Sequence, residues 1–566
     1  MSLKELATKL YPTFIENFNK FPSAPCRVFI SASNMKERAI VRHAVDDSPE
    51  NAWNAALNAL NDALNKKGGL KPSILRADWV TSSKSMTWAE FIDLVKHTRR
   101  NWFRHGLALE NYRLAFMEQE LNAHLVLYDE TQTKPQGDFR KDRADACCRY
   151  RFGCDFPELA DSAEVEIFET SAVFIQSEMD APLTITAKGE NSGRRTTPKG
   201  DSEFFLKLAR IGGNHLARQC DKRGRFTYGL YPCDATFVPS YNSLRHFSTL
   251  FSMADVYSTY GKLGGMTLGK AISRGFEYGI KKFVRYRKLP DGQQAAYIED
   301  RGQLKLGANG ITIVALAYWS KLQRTKKYIP LMRALARGIF TMQKNNGGFV
   351  HVLNAEDYTL KDEFRVEYYD GEAVFGLMRL YDITKDPELL KASERAFEHF
   401  IATDYWKSYD HWLSYATNEL TKYKPERKYF EFGLNNCLPY LSFIYERDTY
   451  WPTLLELIMA AYKMLCRMKN MPEMADLLER VDWDFFHKAL NRRAERLLNG
   501  YFWPEMAMYF EKPETVVGSF CIRHHAFRVR IDDVQHYLSG FIAYSEYLKD
   551  EKNKAIALSV KRTDEE

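Results

Sequence analysis

Residues 309–322 read NGITIVALAYWSKL, and residues 326–343 read KKYIPLMRALARGIFTMQ. The first segment is apolar nearly all round. The second keeps one charged face and one apolar face at helical spacing. A helix that is apolar on every side must be surrounded by protein, whereas an amphipathic one has a side for water. An inner helix followed by an outer helix is therefore the unit that decides the fold.

The same alternation recurs on both sides of this unit. GEAVFGLMRLY (371–381) and TLLELIMAAYKML (453–465) are again apolar nearly all round, and WDFFHKALNRRAERLLNG (483–500) is amphipathic. Helix-length segments start near 203, 241, 267, 307, 325, 370, 388, 409, 427, 452, 482 and 533. Strand signals nearly vanish over this part of the chain. Six outer–inner pairs are what a closed (α/α)6 toroid requires. Internal repetition agrees: GRFTYGL (224–230) is echoed by GGFVHVL (347–353). Each precedes an aromatic-rich step into an inner helix, and the offset is about 125 residues, a fixed-period signature of repeat architecture.

Before residue 195 the pattern differs. CRVFISASN (26–34), ILRADWV (74–80) and EIFETSAVFI (166–175) read as strands. The stretch 48–69 reads as a helix capped by Ser48, opened by Pro49 and stopped at Gly68. A second helix is expected over 86–106, with RRNWFRHG (99–106) as its solvated basic end. The polar segment GENSGRRTTPKGDSE (189–203) reads as a linker. The expected organisation is a mainly α protein: an α/β or α+β domain over 1–195, a toroid over 200–548 and a charged tail over 549–566.

Parallel inner helices bring their N-terminal ends to one mouth, where free N–H groups and helix dipoles favour polar ligands. The lead-ins to those helices are thus the candidates for chemistry. The first carries Tyr241, Asn242, Arg245 and His246; the second, Lys305 and Asn309; the third, Glu367, Tyr368, Tyr369, Asp370 and Glu372. The fourth carries Tyr409, Asp410, His411 and Trp412, and the fifth Trp451 and Glu456. The sixth is RHHAFRVRIDDVQHY (523–537), with Arg528, Arg530, Asp532, Asp533 and His536. Aspartates here also serve as helix N-caps, which does not prevent them from facing a funnel. Aromatic rings beside carboxylates suit a carbohydrate, stacking on sugar faces while the acids bind hydroxyls.

Two reactions fit these residues. Glycosidic bond cleavage needs one protonated and one ionised carboxyl. Asp370 and Asp410 are the expected pair, with Glu372 in reserve. Sugar epimerisation needs a proton removed beside a carbonyl and returned on the other face, work for two histidines. His246 and His411 are the first choice, with His351 or His536 as substitutes. Carboxylates outnumber histidines at the lead-ins, so the sequence favours hydrolysis. Tyr241, Asn242, Asn309, Tyr369, Trp412 and Asp532 are expected to bind substrate, and Arg245, Arg528 and Arg530 to hold an anionic group on it.

The G-x-F steps, YYDGEAVFGLMRLYDITKDPELLKASERAFEHF and YDHWLSYATNEL together resemble the six-hairpin (α/α)6-toroid carbohydrate-active enzymes. That superfamily includes unsaturated-glucuronyl hydrolases and N-acylglucosamine 2-epimerases. The resemblance covers the C-terminal 350 or so residues and implies a sugar site at the inner-helix mouth. A non-catalytic glycan-binding or scaffold subunit is the other class that such a surface suits.

Composition narrows the field further. The chain has 566 residues, 45% of them hydrophobic, which excludes a mainly disordered protein. Nine cysteines without C-x-x-C or zinc-finger spacing exclude a disulfide scaffold and give no metal site. No P-loop, dinucleotide fingerprint or G-x-S-x-G elbow occurs, so no cofactor is expected. A net charge of +7 spread over 80 basic and 73 acidic residues requires no nucleic acid. The longest apolar run, 311–319, is half of a membrane span, and MSLKELATKLYPTFIENF lacks a signal-peptide core. A cytoplasmic location in carbohydrate metabolism, including that of surface polysaccharides, is the expectation.

Overall fold

The computed structural model describes residues 1–129, 135–261 and 265–560. Helices dominate after residue 200, and they close a ring. The inner helices are Ser243–Ser258, Leu306–Leu322, Tyr368–Thr384, His411–Leu420, Thr453–Met468 and Ile531–Tyr547. Each contacts the next, and the sixth returns to the first. Six outer helices pack behind them: Ser202–Gln219, Met266–Phe283, Ile329–Met342, Pro387–Ala402, Arg427–Asn435 and Trp483–Leu497. The six-hairpin toroid expected from the sequence is present, and all twelve helices begin within four residues of the expected positions.

The repeated glycine steps have a common physical origin. Gly224 and Gly347 both adopt φ +91°, a left-handed conformation in which a side chain is strained. A Cβ there would meet the carbonyl oxygen of Arg274 or Arg395 at 2.0 or 2.1 Å. Each glycine lets the chain turn tightly from an outer helix, and the phenylalanine two residues on bridges back to that helix's end, Cys220 to Phe226 and Gln343 to Phe349.

The N-terminal unit is a seven-stranded antiparallel sheet in the order Ile40–Asp46, Cys26–Ser33, Ile74–Thr87, Glu164–Gln176, Gly106–Leu109, Leu114–Phe116, with Leu183–Ile185 also paired to Glu164–Gln176. Alternation divides its side chains between two faces. Val28, Ile30, Leu75, Val173 and Ile175 pack under the helices Leu3–Phe18 and Pro49–Lys66. Phe29, Ile74, Phe168 and Phe174 point the other way, into a core shared with the toroid. Burying one such aromatic or aliphatic side chain contributes about 2 kcal/mol, so the sheet is fastened to the ring by its own pleat.

Three expectations change. The helix expected over 86–106 stops at His97, because Thr98 is extended and Arg99 bridges to Gln136. Residues 99–106 are therefore no solvated helix face; Arg99 pairs with Asp448 at 2.6 Å and Trp102 packs on Tyr450. Strands do occur after residue 200. A five-stranded antiparallel sheet runs through Val284–Lys288, Gln294–Asp300, Gln303–Lys305, Val352–Asn354 and Leu360–Asp362; three of these strands have only three residues, and Gln294–Asp300 is buried on both faces, so neither kind shows a period-2 pattern. The segment expected as a charged tail begins with a helix, Glu551–Ser559, whose buried Asn553 donates to Tyr462 Oη at 2.8 Å. Among the described residues no helix is long and apolar enough to cross a membrane.

Candidate active site

The first turns of five inner helices converge on a cavity of about 550 Å³. Asn242, Arg245 and Ser248 come from the first helix; Tyr368, Tyr369 and Glu372 from the third; His411 and Trp412 from the fourth. The fifth gives Thr453, and the sixth gives Asp532, Asp533, Gln535 and His536. The strap 522–530 adds His524, His525, Arg528 and Arg530, and the stretch before the fifth helix adds Arg447, Thr449, Tyr450 and Trp451. Among the described residues none of the N-terminal unit lines this cavity. That unit supports the walls from behind, through Arg99 on Asp448, Trp102 on Tyr450, and Arg523 on Glu118 at 2.8 Å.

Of the sixteen residues given a catalytic or binding role from sequence, ten meet here: Asn242, Arg245, Tyr369, Glu372, His411, Trp412, Arg528, Arg530, Asp532 and His536. Six do not. Tyr241 and His246 hydrogen-bond each other at 2.8 Å, and the other His246 ring nitrogen bonds Gly275 O. Asn309 is buried, accepting from Ile298 N and donating to the carbonyls of Ala296 and Leu335. His351 Nε2 lies 2.7 Å from Asp370 Oδ2, and Tyr405 Oη donates to the same oxygen at 2.8 Å. Asp410 caps the fourth inner helix, accepting from Trp412 N and Leu413 N at 3.0 Å. Sequence reasoning misses Arg447, Tyr450, His524 and His525. The two histidines stand in the quoted sixth lead-in, but Arg447 lies in an irregular stretch with no pattern to mark it.

Two histidines form the floor. His411 and His536 have ring centroids 5.2 Å apart and come from the fourth and sixth inner helices. Their surroundings push them in opposite directions. Burial moves His411 down to about 3, so it is a neutral imidazole at ordinary pH. Its Nδ1 sits 3.1 Å from Asp410 Oδ1, which favours the tautomer with the proton there. Its Nε2 is then the lone-pair nitrogen, buried without a hydrogen-bond partner. Burial also opposes charge on His536, but the Glu456 carboxylate overcomes this by charge and hydrogen bond, and the net shift is upward. His536 Nδ1 lies 2.6 Å from Glu456 Oε2, and Tyr415 Oη donates to the other oxygen at 3.1 Å.

The walls carry the remaining charge. Burial, and then the charge of Asp410, push Glu372 well above the usual carboxyl range. Its Oε2 is buried and unpartnered. Asp532 and Asp533 are enclosed by guanidinium groups: Arg245 and Arg530 meet Asp532 at 2.8 and 2.6 Å, and Arg528 and Arg530 meet Asp533 at 3.1 and 3.0 Å. Donor atoms of His411, Glu456 and His536 lie within 4.8 Å of one another, a spacing compatible with a cation. In this arrangement the direct His536–Glu456 contact occupies one of those donors.

No protein-family model matches the chain, and no curated protein sequence matches it. Solved structures similar to it include a D-mannose isomerase, 12% identical, covering 62% of this chain and 99% of that one, with a TM-score of 0.45. The cellobiose 2-epimerase of Bacillus thermoamylovorans is 11% identical over 61% of this chain and 99% of that one, TM-score 0.45. An α-1,6-mannanase from Salegentibacter is 12% identical over 61% and 99%, TM-score 0.42.

Proposed function

We propose that the protein is a sugar isomerase or epimerase, moving a proton on the carbon beside a sugar's carbonyl group. The observation that carries this reading is the His411–His536 pair: two adjacent imidazoles on the floor of one cavity, one pushed toward its neutral form by burial and one toward its protonated form by Glu456. A neutral imidazole is a base, and an imidazolium is an acid. His411 Nε2 takes the proton from carbon, leaving an enediol-type intermediate. His536 gives its proton to the oxygen or carbon that must receive one. Glu372, kept protonated by burial, donates a hydrogen bond where negative charge develops on the sugar oxygen. Asp410 and Glu456 act through the histidines as positioning residues.

Glycosidic hydrolysis is the second reading, favoured by the unpartnered carboxyl of Glu372, whose pKa burial raises. It lacks a free partner. Asp370 and Asp410 are engaged outside the cavity, and Asp532 and Asp533 are held by arginines.

Two measurements separate the readings. Candidate aldoses and ketoses incubated with the protein in deuterium oxide should recover solvent deuterium on carbon, and a hydrolase would leave those positions unlabelled. Glu372→Gln keeps a hydrogen-bond donor but no transferable proton, so it should keep at least a tenth of the exchange rate while Glu372→Ala loses about 100-fold. Equal losses near 1,000-fold in both variants would point to proton donation by Glu372 and to hydrolysis.

A further inference from the structure

We infer that the substrate carries an anionic group, phosphate or carboxylate, bound at one side of the cavity by Arg447, His524, His525 and Arg528. The inference rests on the sugar-proton-transfer reading for the rest of the molecule it binds, and on separate residues for the anion.

Charge balance is the first argument. Four guanidinium groups, Arg245, Arg447, Arg528 and Arg530, line the cavity, and only two aspartates, Asp532 and Asp533, face them as partners. Burial raises Glu372 well above the usual carboxyl range, and His536 pairs with Glu456. The cavity's guanidinium groups thus outnumber the aspartates that pair with them four to two. All four guanidinium groups are half-buried, and a forked guanidinium is matched best by phosphate or carboxylate oxygens.

Arg447 is the group most clearly left for a ligand. Among the described residues no carboxylate reaches it. Its Nε donates to Thr449 Oγ1 at 2.8 Å, and the guanidinium lies over the rings of Phe443 and Trp451 at 5.4 and 5.3 Å. The loop that carries it is fixed from below. Arg493, fully buried, donates to the carbonyls of Ile444, Thr449 and Arg447 at 2.6–3.1 Å, and Arg496 adds a bond to Arg447 O at 2.9 Å. A loop held by two arginines presents a third to the cavity in a set position, which is the preorganisation that anion binding rewards.

The facing strap adds two more bases. His524 and His525 have ring centroids 4.5 Å apart, and neither meets a carboxylate among the described residues. His524 Nδ1 is buried with no partner. Burial and then the neighbouring His525, Arg99, Arg447 and Arg528 hold His524 down to about 4. An anion seated among these groups accepts their hydrogen bonds and favours their charged forms.

Calorimetric titration of the full chain tests this with glucose and mannose, their 6-phosphates, and glucuronate and mannuronate. At least one anionic sugar is expected to bind tenfold or more tightly than its neutral parent. Preference for the phosphates assigns phosphate, and preference for the uronates assigns carboxylate. Arg447→Gln should remove most of that preference, while Arg447→Lys, which keeps the charge, retains part of it and controls for folding. The inference is overturned if neutral and anionic sugars bind alike, or if Arg447→Gln leaves the preference intact. His411→Ala keeps the two readings apart, because it should abolish deuterium exchange and leave the anion preference in place.

Discussion

The toroid has two mouths, and both hold a large cavity. The one at the N-terminal ends of the inner helices measures about 550 Å³, and the one at their C-terminal ends about 700 Å³. Both are lined with aromatic and charged side chains. Tyr415 joins them: its ring lines the C-terminal cavity, and its hydroxyl bonds Glu456 beneath the N-terminal one. The difference lies in which acids and bases are already paired, since Ser539 Oγ at the C-terminal mouth is also buried without a partner. At the C-terminal mouth every lining acid has a partner: Glu203 with Arg210, Asp255 with Tyr318, Glu419 with Arg379 and Lys422, Glu546 with Lys549. At the N-terminal mouth Glu372 Oε2, His411 Nε2 and His524 Nδ1 are buried without partners. Open space follows from closing six helical hairpins into a ring. Chemistry requires polar groups that the fold has left unpaired.

The largest expected effect tests the N-terminal side of this contrast. His411→Ala and His536→Ala should each lower deuterium exchange by 100- to 10,000-fold, the range for loss of a general base or acid, and His536→Ala should also lower the thermal midpoint, because it leaves buried Glu456 without its partner. A loss under tenfold in both would remove the functional distinction between the mouths. At the C-terminal mouth, Glu419→Gln should do the reverse. It leaves Arg379 and Lys422 without their shared, buried partner and should lower unfolding free energy by roughly 2 kcal/mol, read from denaturant titration, with exchange within twofold of the parent.

The pH profile sharpens the contrast at smaller cost in rate. His411 works as the neutral base, so activity persists on acidification until pH nears about 3. His536 works as the charged acid and its pKa is raised above 6.5, so activity falls as pH rises through that higher value, about tenfold per unit beyond it. His536→Gln should remove this alkaline limb, and a limb that survives unchanged would assign it to another group.

Much of this was legible in the chain. The alternation of NGITIVALAYWSKL with KKYIPLMRALARGIFTMQ determines an inner–outer helix pair, because an all-round apolar segment can lie only inside protein. The Gly224 and Gly347 steps mark the turns for a local steric reason. Five of the six lead-ins to the inner helices share one cavity, since parallel helices bring their first turns together. Which lead-in residue faces the cavity was decided only by the tertiary structure. Asp410 caps a helix while its neighbour His411 lines the floor, and Asp370 bonds His351 while Glu372 faces the cavity. One residue is about 100° of helix rotation, and each helix is turned by packing against neighbours distant in sequence. His411, Glu456 and His536 likewise meet only because the ring closes, and that closure is a property of all six hairpins together.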